Sequence, residues 1–230
     1  MAKSQNVIVR RSKMTPQDPC TIEYKGKLYD INSWGSHQLY GDMRPFGEAG
    51  PFHIEDHGMV MDSVSSACWS GYITHYLVDN GQLFLEDVTI MGQKENKLLF
   101  GVDPTPVDEK YKNRSFDYIY RGVHQPIDYS GKLKIGSGSE RIGFHYTENY
   151  DYEFLEFHEL LFKRGKLIED IDKSEENRIK RNGLKEDIYS NLASKVNYSV
   201  EDVRECVEEM NKNGKIHYWQ LSEYLKKKEK

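Results

Sequence analysis

Hydrophobic and polar positions along the first three-quarters of the chain alternate with a period of two, and they do so in pairs of segments. The clearest pair is Trp69-Ser70-Gly71-Tyr72-Ile73-Thr74-His75-Tyr76-Leu77-Val78 and Gln82-Leu83-Phe84-Leu85-Glu86-Asp87-Val88-Thr89-Ile90, joined by Asp79-Asn80-Gly81. Alternation on both sides of Asn-Gly predicts a β-hairpin, because a tight hairpin turn needs positive φ at its central residues. The same four-residue pattern, a polar residue, Gly, Lys or Gln, then Leu, recurs as Lys25-Gly26-Lys27-Leu28, Ser130-Gly131-Lys132-Leu133 and Arg164-Gly165-Lys166-Leu167. Each instance predicts a turn. Their spacing, 55, 50 and 34 residues, is too irregular for a solenoid or a propeller. Residues 1–172 are therefore expected to form an antiparallel, hairpin-built, β-rich domain, curled or barrel-like.

The period changes near Lys173. Residues 173–183 are highly charged and read as a linker or an exposed helix. Ile188, Leu192 and Val196 then fall on one helical face. Ser199 is placed to cap a second helix marked by Val200, Val203, Val207 and Met210 and ended by Asn213-Gly214. Lys215-Ile216-His217-Tyr218-Trp219 reads as a short strand, and Leu221 to Leu225 as a last helical turn. Residues 173–230 thus form a small helical C-terminal domain, and the fold class is α+β.

Between the first two hairpins lies a segment with neither period. Ser33 to Ser66 holds Gly35, Gly41, Gly47, Gly50 and Gly58, two prolines, and His37, His53 and His57. A loop of that length is uncommon and tends to be functional.

Charge adds a constraint on partners. The 230-residue chain carries −5; from Lys173 onward 13 basic and 11 acidic residues give +2, which leaves −7 for the β-rich part. A net negative charge disfavours generic affinity for nucleic acid or anionic membranes. No run approaches the roughly 18 apolar residues of a membrane span. Three widely spaced cysteines without a CxxC suit a reducing compartment, and the N-terminus reads as carrying no signal peptide, so the expected location is the cytoplasm.

The hairpin Trp69-x-Gly71-Tyr72-x-x-x-Tyr76 with Asn80-Gly81-x-Leu83-Phe84-Leu85 resembles a strand pair in uncharacterised bacterial β-rich proteins. Over its roughly twenty residues this resemblance implies a bacterial origin and a shared scaffold, with no activity attached. Helix, turn, helix and Asn-Gly-Lys-Ile, over about Leu184 to Trp219, resembles a winged helix. The second of those helices carries Glu201, Asp202, Glu205, Glu208 and Glu209 against Arg204, and five carboxylates repel phosphates.

The densest polar cluster is His53-Ile54-Glu55-Asp56-His57. His53, Glu55 and His57, with His37 as a further donor, are the candidate ligands of a divalent metal such as Zn²⁺, Mn²⁺ or Fe²⁺; in an extended segment the three would point the same way. Solvated loop histidines are the plainer account. Cys68 with His75 or His145 suggests a thiolate–imidazole pair, against a small buried cysteine beside Trp69. Ser63, Ser65, Ser66 and Ser70 lack the Gly-x-Ser-x-Gly elbow. Gly136-Ser137-Gly138-Ser139 lacks the Gly-Lys-Ser/Thr ending of a phosphate loop and reads as a hairpin turn. Tyr111, Phe116, Tyr118, Tyr120, Tyr146, Tyr150 and Tyr152 divide between core and a binding face.

These observations lead to an expectation of a non-catalytic binding protein with a protein partner. The alternatives are a metal-dependent hydrolase using the His53–His57 loop, and a nucleic-acid binder acting through the C-terminal helices and the tail from Lys226 to Lys230.

Overall fold

A computed structural model describes residues 18–32, 51–60, 65, 68, 70–92, 97–108, 116–140, 150–212 and 218–228. Of the long segment between the first two hairpins, the described part is thus 51–60 and Ser65; His37 lies outside the described residues, as do Tyr111, His145 and Tyr146. The architecture is α+β, a large sheet with helices following it near the C-terminus.

Three of the four glycine patterns make the expected turns. Lys25-Gly26, Asn80-Gly81 and Arg164-Gly165 have φ of 52° and 73°, 47° and 73°, and 50° and 75°. Two consecutive positive φ values define the type I′ turn, whose twist matches the strands it joins. They connect β1 (Thr21–Tyr24) to β2 (Lys27–Ile31), β3 (Tyr72–Asp79) to β4 (Gln82–Ile90), and β9 (Phe154–Lys163) to β10 (Lys166–Asp172). The fourth behaves differently. Gly131 opens β8 (Gly131–Ser139) and pairs with Phe162 of β9. Just before it, Pro126 in the two-residue β7 (Gln125–Pro126) lacks the N–H that a long hairpin arm would donate. Gly136-Ser137-Gly138-Ser139, expected as a turn, is the second half of β8. Gly136 lies under the Phe154 ring, where an added Cβ would sit 2.3 Å from ring carbons.

The strands run β10-β9-β8-β2-β1-β3-β4, and β4 meets β10 again through the pair Gln82–Lys166. The path closes into a seven-stranded barrel. Two short strands, β5 (Thr105–Pro106) and β6 (Tyr118–Tyr120), extend the sheet from the far half of β4. One pairing departs from the antiparallel expectation: β1 runs parallel to β3, with Thr21 opposite His75 and Glu23 opposite Leu77. The long connection between β2 and β3 makes this possible, since parallel neighbours need a crossover rather than a tight turn.

Inward-facing residues fill the barrel. Ile22, Tyr76, Leu83, Leu85, Ile135, Leu160 and Phe162 are all buried. The connection between β2 and β3 contributes to this core instead of lying over it: Phe52, Ile54 and Met59 are buried in the same cluster. On β4 a bulge opposite His75 and Tyr76 sets Glu86 and Asp87 side by side, so the buried series is Leu83, Leu85, Val88, Ile90. A second apolar cluster of Cys68, Met91, Val107, Phe116 and Ile119 packs on the outward-facing Ile73.

Of the two readings of residues 173–183, linker or exposed helix, the helix holds: the segment is the first half of α1 (Ser174–Val196), though one face is buried. Its buried face escapes an apolar-periodicity reading because it is polar. Asn177 Nδ2 donates to Asp151 O at 2.7 Å, and Arg181 Nη1 donates to Tyr152 O and Phe154 O, both at 2.9 Å. Arg181 Nε also lies 3.0 Å from Glu140 Oε2, an ion pair not aligned as a hydrogen bond. The second half of α1 carries Tyr189, Leu192 and Ala193 into a separate core with α2 (Val200–Lys212) and α3 (Tyr218–Lys228). Ser199 caps α2 as expected, accepting from Asp202 N at 3.1 Å. Tyr218 and Trp219, expected in a strand, begin α3, because Leu221 and Leu225 bury one helical face against α2. None of the described helices is long and apolar enough to cross a membrane.

Candidate functional site

The residues around His53 form a compact surface feature. Ile54–His57 is a single 3₁₀ turn ended by Gly58 with φ 70°. Ile54 anchors the turn in the barrel core, and this aims Glu55, Asp56 and His57 outward. His57 stacks on Phe52, centroids 5.2 Å apart, and meets Phe100 edge-on at 4.5 Å. Phe100 sits on a neighbouring turn closed by the mutual backbone bonds of Leu99 and Val102, both 3.0 Å. Buried Leu99 pins that turn, and its flanking residues Leu98 and Phe100 face solvent. Lys97 Nζ donates to Gly58 O at 2.9 Å and ties the two turns together. Val60, two residues beyond Gly58, is 73% exposed. Phe100 has φ 51°, a left-handed conformation that a bulky aromatic residue rarely adopts. Such strain costs on the order of 1 kcal/mol or more and persists only where the surroundings impose it.

The structure keeps His53, Glu55 and His57 on this one turn, with the His57 imidazole in contact with two aromatic rings. Among the described residues, no three His, Cys, Asp or Glu side chains gather as a metal-binding group. The other candidates separate as well. Cys68 Sγ donates to Tyr72 O at 3.4 Å, while His75 Nδ1 pairs with Thr21 Oγ1 at 2.9 Å. Burial pushes the Cys68 thiol up, away from thiolate chemistry. Ser70 Oγ donates to Tyr72 O at 2.7 Å and shapes the entry to β3. Of the aromatic group, Phe116 and Tyr120 are core, and Tyr150 and Tyr152 stack on each other at 5.2 Å.

A second constellation was not legible in the sequence. Glu156 and His158 of β9 and Asp170 of β10 meet Tyr24, Lys25, Lys27 and Tyr29 of the first hairpin. His158 Nδ1 lies 2.8 Å from Asp170 Oδ1, and its Nε2 lies 3.5 Å from Glu156 Oε1. Tyr24 Oη and Lys25 Nζ donate to Asp170 Oδ2 at 2.9 and 2.8 Å. Tyr29 Oη and Lys27 Nζ donate to Glu156. Both tyrosine rings meet the imidazole edge-on. Burial opposes ionisation of Asp170, but the hydrogen bonds from Lys25, His158 and Tyr24 outweigh it and hold the carboxyl below its usual range. Lys27 and Tyr29 do the same for Glu156. The two-residue spacing of Glu156 and His158 was the available signal, since it puts both on one face of a strand; Asp170 is twelve residues from His158, but Tyr24 and Tyr29 are more than a hundred residues from the carboxylates they bond.

This network latches the first hairpin where the main-chain ladder gives out, for β2 pairs with β8 only at Asp30 and Ile31. A carboxylate with a lowered folded-state value stabilises above its unfolded value, and that contribution is lost as pH falls through the folded value. Asp170→Asn is therefore expected to lose about 2 kcal/mol at neutral pH, the scale of hydrogen bonds to a charged group. The gap from the parent chain should shrink below about pH 4. Urea melts between pH 7 and 3 measure it; a gap that stays constant with pH would assign the loss to packing instead.

Compared with family models, with curated proteins and with solved structures, the chain finds no match.

Proposed function

We propose that this is a non-catalytic binding protein of the bacterial cytoplasm, and that it holds a protein partner on the surface made by His57, Val60, Leu98 and Phe100. The observation that carries the reading is Phe100. Phe100 and Gly101, with φ 51° and 86°, form a two-residue turn like those at Lys25-Gly26, Asn80-Gly81 and Arg164-Gly165, but here the first position carries a large apolar ring, 40% exposed, where the other three carry polar residues. Exposed aromatic and aliphatic side chains on pinned turns give contact area without an ordering cost at binding. A barrel beneath two tied loops is a scaffold of the kind that presents such residues. The bacterial setting rests on the resemblance of the Trp69–Leu85 hairpin, and the cytoplasm on three free cysteines without paired spacing.

The test is capture of partners from bacterial cells by the tagged chain and by Phe100→Asn, since asparagine tolerates the left-handed region. The variant should fold with unchanged or raised stability and lose the stoichiometric partner. Recovery of the same partner at the same yield by the variant, or of none by the parent chain, overturns the proposal.

A further inference from the structure

Resting on that binding reading, we infer that the partner presents a basic segment carrying one bulky apolar side chain. The two tied turns expose Val60, Leu98 and Phe100 and, with them, the carboxylates Glu55, Asp56 and Asp103. Among the described residues of these two turns the ammonium group is that of Lys97, which is engaged with Gly58 O. Three carboxylates on the turns that expose these apolar side chains repel an acidic peptide, a phosphate backbone or an anionic membrane, and attract lysine or arginine. Their fields also reach inward. Glu55 adds to the burial that raises the Tyr72 hydroxyl, and Asp103 to the burial that raises that of Tyr120. The apolar side chains supply the anchor contact and the carboxylates select the sign of what surrounds the anchor.

Three labelled 15-residue peptides test this against the full chain by fluorescence anisotropy. The first is Lys, Arg and Gly around a central Leu-Trp pair. In the second Glu replaces Lys and Arg, and in the third Ser-Ser replaces Leu-Trp. The first should bind at least tenfold more tightly than the other two, and weaken at 0.5 M salt. Phe100→Asn should abolish that binding, and the double variant Asp56→Lys, Asp103→Lys should weaken it at least tenfold. Equal binding of the acidic peptide, or binding untouched by Phe100→Asn, overturns the inference. If Phe100→Asn loses a captured cellular partner while the basic peptide fails to bind, this inference fails and the binding function stands.

Discussion

Gly165→Ala should destabilise the protein by about 3 kcal/mol, combining a left-handed cost of 1–2 kcal/mol with the loss of at least one backbone hydrogen bond. Gly165 closes the barrel. Its N–H donates to Tyr129 O at 2.7 Å and its carbonyl accepts from Leu83 N at 2.8 Å. Its φ is +75°, and an added Cβ would fall 2.1 Å from Ile127 O and 2.5 Å from Gln82 Nε2. The glutamine amide can move, but the Ile127 carbonyl belongs to backbone that β4 holds, since Ile127 N donates to Leu83 O at 3.0 Å. Relief therefore has to come from the seam itself. Gly26 is the internal control: φ is +73° with nothing within 4 Å of its Cβ position. Gly26→Ala should cost about 1 kcal/mol, the conformational share alone. Urea denaturation of the two variants decides the matter, and equal midpoints would mean the seam is not tightly packed.

Arg181→Leu should cost about 3 kcal/mol, in the range for breaking a buried charged contact and stranding its acceptors. Arg181 is only 3% exposed, and the substitution leaves Tyr152 O and Phe154 O without the donor that now serves both. Leucine also sets an apolar side chain against two carbonyls. Neighbouring Lys185 pairs with the same Glu140 but is more exposed, so Lys185→Ala should cost under about 1 kcal/mol. Because α1 docks on the barrel through Asn177 and Arg181, limited proteolysis of Arg181→Leu should cut first within residues 173–183. Cleavage spread evenly over barrel and helices would show that α1 does not depend on this contact.

What the sequence revealed follows the range of the interaction. A type I′ turn is decided by two adjacent residues, so Gly26, Gly81 and Gly165 were readable, while Gly131, with the same local pattern, was not, because its role depends on β9. Ser199 was readable as a cap for the same local reason. The parallel β1–β3 pair, the closing Gln82–Lys166 pair and the contacts of Tyr24 with Asp170 and of Tyr29 with Glu156 each join segments far apart in the chain. Residues 173–183 leave linker and exposed helix open in the sequence because the docking face of α1 is made of Asn177 and Arg181, which no hydrophobic period can reveal. At the candidate site, the polar cluster His53–His57 stands out in the sequence, but its 3₁₀ conformation and its neighbours do not. Leu98 and Phe100 come from a turn some forty residues on, where Phe100-Gly101 is a local turn signal that the four-residue glycine pattern does not include.

The barrel seam also bears on how the chain is born. Gln82 and Lys166 are 84 positions apart. At 5–20 residues per second, the partner of β4 emerges from a ribosome roughly 4 to 17 s after β4 itself. The β3–β4 hairpin forms within microseconds and then waits with one edge unpaired. Among the described residues β6, β7, Val123 and Ile127, made in the interval, cover that edge from Leu83 to Ile90. A nascent chain that stalls before Arg164 therefore leaves open the Gln82 end of β4 and the edge of β9 that β10 will pair, and the last hairpin to be synthesised is the one that closes both.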